Sequence, residues 1–270
     1  MNQRTKQHQR IYELVKPPNS RRVLVVEGAD DVRFVERQLD LGFPGWSRSW
    51  VVEFAEGKNR ALDIVSREPT WLGLVDSDDW DAGTIAQLRI THPRIHVLPR
   101  YCMESYFIVP QELWGMLPVG RRAAVAGGIT AFEADLLSPL DRWVRHGALW
   151  RVVNPLWAGL KARGFKDHLL QLSAAQDDAA IQRKLQEWHD YLDATSHFAA
   201  FQQGLESAEA LNLDEKLKCV VHGKSFFTEH VCHKLNALFG QRAAGDWLEE
   251  LTKDAPVITD LHPLWAAMGL

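Results

Sequence analysis

Three cysteines in 270 residues, Cys102, Cys219 and Cys232, are too few and odd in number for a disulfide framework, which points to reduced thiols. No apolar run approaches the ~20 residues that cross a bilayer. The first ten residues are polar and basic and lack the apolar core of a secretory signal. Together these absences predict a cytoplasmic protein. An excess of positive charge is missing as well, with 31 Lys and Arg against 35 Asp and Glu and a net charge of −4. A nucleic-acid partner would therefore need a local basic patch or a second protein's surface. Internal repeats and low-complexity tracts are absent. So is a phosphate-binding P-loop, because Lys218 stands where Gly223-Lys224-Ser225 would need a preceding glycine.

What is there is a hydrophobic content of 46% with eleven Trp, enough for a substantial packed core. Two local biases stand out. Residues 1–22 hold Arg4, Lys6, Arg10, Lys16, Arg21 and Arg22 against Glu13 alone, as a solvated leader or a nucleic-acid contact. Cys219, His222, His230, Cys232 and His233 invite a zinc reading. Their irregular spacing on a helix-forming stretch, however, would spread them over several faces, and packed helix residues are the preferred alternative.

The most distinctive pattern is acid at the ends of apolar runs. Val23 to Val26 leads into Glu27-Gly28, with Asp31 four residues on; Leu72 to Val75 leads into Asp76, Asp78 and Asp79. Such runs read as buried parallel strands, where ionised groups are costly unless they meet a cation. Strands are expected over residues 23–27, 50–54, 72–75 and 95–98, with helices over 30–39, 57–66 and 82–89 between them. This alternation predicts an α/β fold, a parallel sheet flanked by helices. Ligands in such sheets bind at the carboxyl ends of the strands, where these acids fall. Beyond residue 110, Pro110, Pro118 and Gly127-Gly128 punctuate a change to helix-forming sequence. A helix over 174–194 is expected to bury Ile181, Leu185, Trp188 and Leu192. The predicted organisation is a basic leader over 1–20, an α/β domain over 21–115, and a mainly helical C-terminal extension over 116–270 packed on it.

Hard Mg²⁺ or Mn²⁺ ions prefer carboxylate oxygens, and two of them about 4 Å apart can drive phosphodiester cleavage. Glu27, Asp31, Asp76 and Asp78 are the expected ligands. For Glu27 and Asp31 the competing reading is a helix N-terminus, where carboxylates satisfy free N–H groups and the helix dipole. Asp79 reads as a solvated turn and Asp30 as a cap or exposed residue. Glu104 could reach the strand-end cleft, directly or through a water, or pair with Arg100. Lys58 and Arg100 are candidate substrate contacts, although a surface lysine is the commoner outcome for Lys58. Lys224 could bring a cation to the site and stabilise charge in a transition state.

A strand ending in Glu27-Gly28, an acid at Asp31 and a second strand ending in Asp76-x-Asp78 resemble the TOPRIM domain of topoisomerases, primases, RNA maturases and OLD-type nucleases. Residues Pro99 to Tyr106, with Glu104 followed by Ser105 where the family has Asn, resemble a segment of the OLD-like TOPRIM nucleases. His222-Gly223-Lys224 resembles that family's late Gly-Lys element. The resemblance extends to the AriB type, the effector nucleases of the PARIS anti-phage system. It implies catalysis by Glu27, Asp76, Asp78 and Lys224, with metal held by Glu27, Asp31, Asp76 and Asp78, while Glu104 remains a further candidate ligand. It further implies a metal-dependent endoribonuclease with tRNA as substrate, homo-oligomeric when active and restrained by an AriA-like ABC-type ATPase sensor. A stand-alone TOPRIM nuclease acting on RNA or DNA, or a catalytically silent partner-binding module, are the alternatives. No catalytic tyrosine in topoisomerase context and no primase zinc module accompany the motifs.

Overall fold

A computed structural model describes residues 6–16, 19, 21–165 and 176–270. Four strands, β1 (Arg22–Val26), β2 (Trp50–Phe54), β3 (Leu72–Val75) and β4 (Ile95–Val97), form one parallel sheet in the order β2-β1-β3-β4. Helices α1 (Lys6–Val15), α2 (Ala29–Gly42), α3 (Lys58–Arg67) and α4 (Ala82–Thr91) flank it. The expected alternation of strand and helix is present, with helix ends within three residues of those read from the sequence.

The strand order has a consequence for function. The chain leaves β1 to add β2 on one side, then crosses back over β1 to add β3 and β4 on the other. Right-handed crossovers place α2 on one face of the sheet and α3 and α4 on the opposite face. The connections leaving β1 and β3 therefore diverge, and a crevice opens between the carboxyl ends of these two neighbouring strands. Alternation along the strands feeds both faces. Val23, Val25, Val75 and Ile95 pack with Ala61, Ile64, Val65 and Leu88. On the other side, Phe34 of α2 meets Tyr106 and Phe107 with ring centroids 5.3 and 5.6 Å apart.

The basic leader is not a solvated tail over its described part. Helix α1 buries His8, Ile11 and Val15, with Ile11 and Val15 joining the sheet core; Arg10 pairs with Glu53 at 2.6 Å. The i, i+4 spacing of Ile11 and Val15 gave the apolar stripe, which charge counting overlooks. Residues 1–5, 17, 18 and 20, which include Arg4 and the Pro17-Pro18 break, lie outside the described residues.

The chain does not divide near residue 115. One compact unit comprises Met1–Ser138, Leu217–Cys219 and Gly223–Leu270, and a second comprises Pro139–Lys216 and Val220–His222. The C-terminal residues belong with the sheet because they bond to it. The Met268 carbonyl accepts from Arg22 Nη2 at 3.0 Å and from Trp50 Nε1 at 3.1 Å, while Gln38 bonds both Pro256 O and Ile258 N. The second unit is all helical over its described part: Leu140–Ala162, Asp178–Tyr191 and Ala194–Glu209. Its middle helix departs from expectation. Trp188 is buried and donates to Arg163 O, but Leu185 and Leu192 are 51% and 43% exposed. A periodic stripe shows which residues share a face; it does not say how much of that face is covered. Residues 174 and 175 of the expected helix lie outside the described residues.

Arg100 is the main ionic tie of the first unit. Only 4% exposed, it clasps Glu112 through two bonds of 2.5 and 2.9 Å, reaches Asp260 at 2.9 Å and stacks over Tyr106. Arg100→Met should leave these carboxylates without their buried partner and cost about 3 kcal/mol of stability, measured by denaturant unfolding. A change close to zero would show that the tie carries no net stability.

Candidate active site

The acids expected at the strand ends do lie at the β1/β3 crevice. Glu27 follows β1, and its Oε1 accepts the Asp76 N–H at 2.7 Å, so one carboxylate joins the two strand ends. Asp31 sits in the first turn of α2, where its Oδ2 accepts the Gly28 N–H at 2.8 Å. The helix-terminus reading thus accounts for one oxygen of Asp31. Asp78 has left-handed backbone, φ 45°, and its N–H is held by Tyr101 O at 2.8 Å. Aspartate tolerates that conformation better than most residues, and in βα turns such strain marks functional positions. Asp79, expected as a solvated turn, accepts the Tyr101 hydroxyl at 2.8 Å and braces the loop. Asp30 is exposed.

Two lysines meet this acid. Lys58 is not a surface lysine: its Nζ lies 2.6 Å from Asp78 Oδ2, 3.9 Å from Glu27 Oε1 and 4.1 Å from the centre of the Trp80 ring. Lys224 is exposed and acts electrostatically on Asp31. Its position depends on Gly223. A Cβ there would fall 2.5 Å from Ser105 Oγ and 2.7 Å from Cys102 Sγ, so only glycine lets this helix start approach the turn bearing Glu104. Glu104 in turn acts on Asp31 and Asp76.

Crowding shows in the proton affinities. Burial, opposed by Lys58, pushes Glu27 up to about 7. Burial and repulsion by Glu104, against the Gly28 N–H and Lys224, push Asp31 up to about 6. Asp76 is held well above the ordinary range by burial and then by Asp31, Glu27, Asp78 and Glu104. Its carboxylate makes no hydrogen bond or ion pair among the described residues. The donor set is all hard carboxylate oxygen, and Glu27 and Asp31 each keep an oxygen that no backbone N–H holds. That chemistry fits Mg²⁺ or Mn²⁺. Among the described residues, however, no group of three or more His, Cys, Asp or Glu side chains is arranged so that it could hold a metal ion.

Other expectations resolve differently. Arg100 faces Glu112 and Asp260 rather than Glu104 or solvent, which gives it an architectural role in place of a substrate contact. The zinc alternative gains nothing. His230 stacks on Phe226 and bonds Leu136 O at 3.0 Å, while burial pushes the Cys232 thiol up to about 12. The sequence reading missed Trp80 and Tyr101. Their signal was present, an aromatic embedded in Asp78-Asp79-Trp80-Asp81 and another beside Arg100, but aromatics in loops have many uses. No family model matches the chain, and no curated protein matches it.

These carboxyls bind protons more tightly in the folded chain than in the unfolded one. The cluster's contribution to stability is therefore most favourable at low pH and falls as pH rises through the window from 4.5 to about 7 for Glu27. In metal-free protein, Glu27→Gln should be relatively more stable against wild type at pH 8 than at pH 5 in paired denaturant titrations. An equal difference at both pH values would remove the inferred rise in the proton affinity of Glu27.

Proposed function

We propose that the chain is a metal-dependent phosphodiesterase of the nuclease type, with the carboxylate cluster at the β1/β3 crevice as its active site. One observation carries this reading: the Asp76 carboxylate, unpartnered among the described residues and burdened by burial and by four neighbouring acids, at the place in a parallel sheet where ligands bind. Glu27, Asp31, Asp76 and Asp78 would hold Mg²⁺ or Mn²⁺, with Glu104 as a further ligand directly or through a water. The bound ion supplies polarisation of the phosphoryl oxygen and activation of the attacking water.

The remaining work belongs to the chain. Glu27, fixed by the Asp76 N–H, ties the end of β1 to the end of β3, where Asp76 and Asp78 follow. Lys224, on the rim near Asp31, neutralises charge that develops on the phosphate. In the second unit, helix Leu140–Ala162 carries exposed Arg142, Arg145 and Arg151 with Trp150 and Trp157, 36% and 56% exposed. Basic and aromatic side chains together suit contact with phosphates and stacking on bases.

The resemblance to OLD-like TOPRIM nucleases supports an RNA substrate, tRNA in particular, and a role as toxic effector in anti-phage defence. It also supports control by an ABC-type ATPase sensor and self-association of the active form.

Glu27→Ala and Asp76→Ala should abolish Mn²⁺-dependent cleavage of tRNA while the protein stays folded. Lys224→Ala should lower kcat by about 10²–10³-fold with little change in KM. Assays on tRNA, single-stranded RNA and DNA, with mass measurement of the protein alone and with its partner, separate the alternatives. Wild-type rates from a folded Glu27→Ala chain would remove the assigned site, and a monomer at full rate without a partner would leave a stand-alone nuclease.

A further inference from the structure

The turn between β2 and α3 is built at some cost. Glu56 and Gly57 both have left-handed backbone, φ 64° and 121°, and the Gly57 N–H is tied to Glu27 O at 3.0 Å. This conformation carries the first residue of α3 over the end of β1. That residue is Lys58, and a cation at a helix N-terminus is repelled by the helix dipole, so stabilisation of α3 does not explain it. What it meets does. Its ammonium touches Asp78 Oδ2, faces Glu27 Oε1 and lies against the Trp80 ring, with the side chain only 15% exposed.

We propose that Lys58 is a built-in cation that holds the metal-free site closed and competes with the divalent ion for Glu27 and Asp78. The inference rests on the metal-site reading above and adds a regulatory step to it. An ammonium and a divalent cation held by the same two carboxylates repel each other, and in a partly buried crevice that repulsion is strong. Metal entry therefore requires Lys58 to leave Asp78. Trp80 resists that departure by holding the ammonium over its face. The lysine also relieves repulsion in the metal-free protein, since its ammonium lies near both Glu27 and Asp78. Loading is thus an exchange of one cation for another, and the site stays shut until the divalent ion is plentiful enough to displace the lysine.

Calorimetric titration of the full chain with Mn²⁺ tests this. Lys58→Met keeps the apolar stem and removes the charge; it should bind Mn²⁺ about tenfold more tightly than wild type. Metal-free Lys58→Met should also unfold at a lower temperature than wild type and recover when Mn²⁺ is added. Trp80→Leu leaves every carboxylate and the lysine in place, and should shift Mn²⁺ affinity in the same direction by less. That keeps the proposal testable if Lys58→Met does not fold. Unchanged or weaker Mn²⁺ binding in both variants, with binding still abolished by Glu27→Gln, would overturn the lysine's role and leave the metal site standing. No Mn²⁺ binding by wild type or either variant would overturn both.

Discussion

Carboxylates gathered at the carboxyl ends of buried parallel strands repel one another and lose the water that would otherwise solvate them. The surroundings of the β1/β3 crevice answer that constraint piece by piece. Glu27 takes the Asp76 N–H, Asp31 takes the Gly28 N–H, and Asp78 takes Lys58. Lys224 approaches Asp31 from the rim. After these compensations the Asp76 carboxylate still has no partner among the described residues, and burial and its acidic neighbours hold its proton affinity high.

Holding the charges in place requires a stiff frame. The Tyr101 carbonyl fixes the strained Asp78 backbone, and the Tyr101 hydroxyl braces Asp79. The Tyr101 N–H is in turn bonded to Lys218 O at 2.7 Å, which ties the late part of the chain to the loop after β4. Arg100, beside it, anchors the same loop to Glu112 and to Asp260 near the C-terminus. Residues more than a hundred positions apart thereby anchor the loop after β4. Gly223 completes the frame by letting the helix start that bears Lys224 approach Cys102 and Ser105, which any side chain at that position would prevent.

Two lysines meet the cluster in different settings. Lys224 is exposed and near Asp31, and in the proposed function it meets charge that appears only during reaction. Lys58 is enclosed between Asp78, Glu27 and Trp80, suited to charge already present in the resting protein. Screening by solvent separates the two roles, since an enclosed ammonium acts strongly on its neighbours before any ligand arrives, whereas an exposed one acts fully only once water has been displaced.

Much of this was legible in the sequence because the signals are local. Short apolar runs with acids at their ends marked the strands, and helical spacing between them implied parallel crossovers, so the carboxyl-end location of Glu27, Asp31, Asp76 and Asp78 followed from the sequence alone. Other features depend on contacts between distant residues. Periodicity showed a shared face for Ile181, Leu185, Trp188 and Leu192 but not that Leu185 and Leu192 stay exposed. Charge counting made residues 1–22 a basic leader, while Ile11 and Val15 entered the core. Arg100 looked available for substrate until Asp260, 160 residues away, closed over it. The residues after 223 returned to the sheet instead of remaining with the helices before them. Sequence by itself determined the kinds of element and the chemistry at the strand ends, because hydrophobic period and residue type act within a few positions. Tertiary structure alone decided which cation faces which carboxylate, because burial and pairing are set by segments that meet only when the chain is folded.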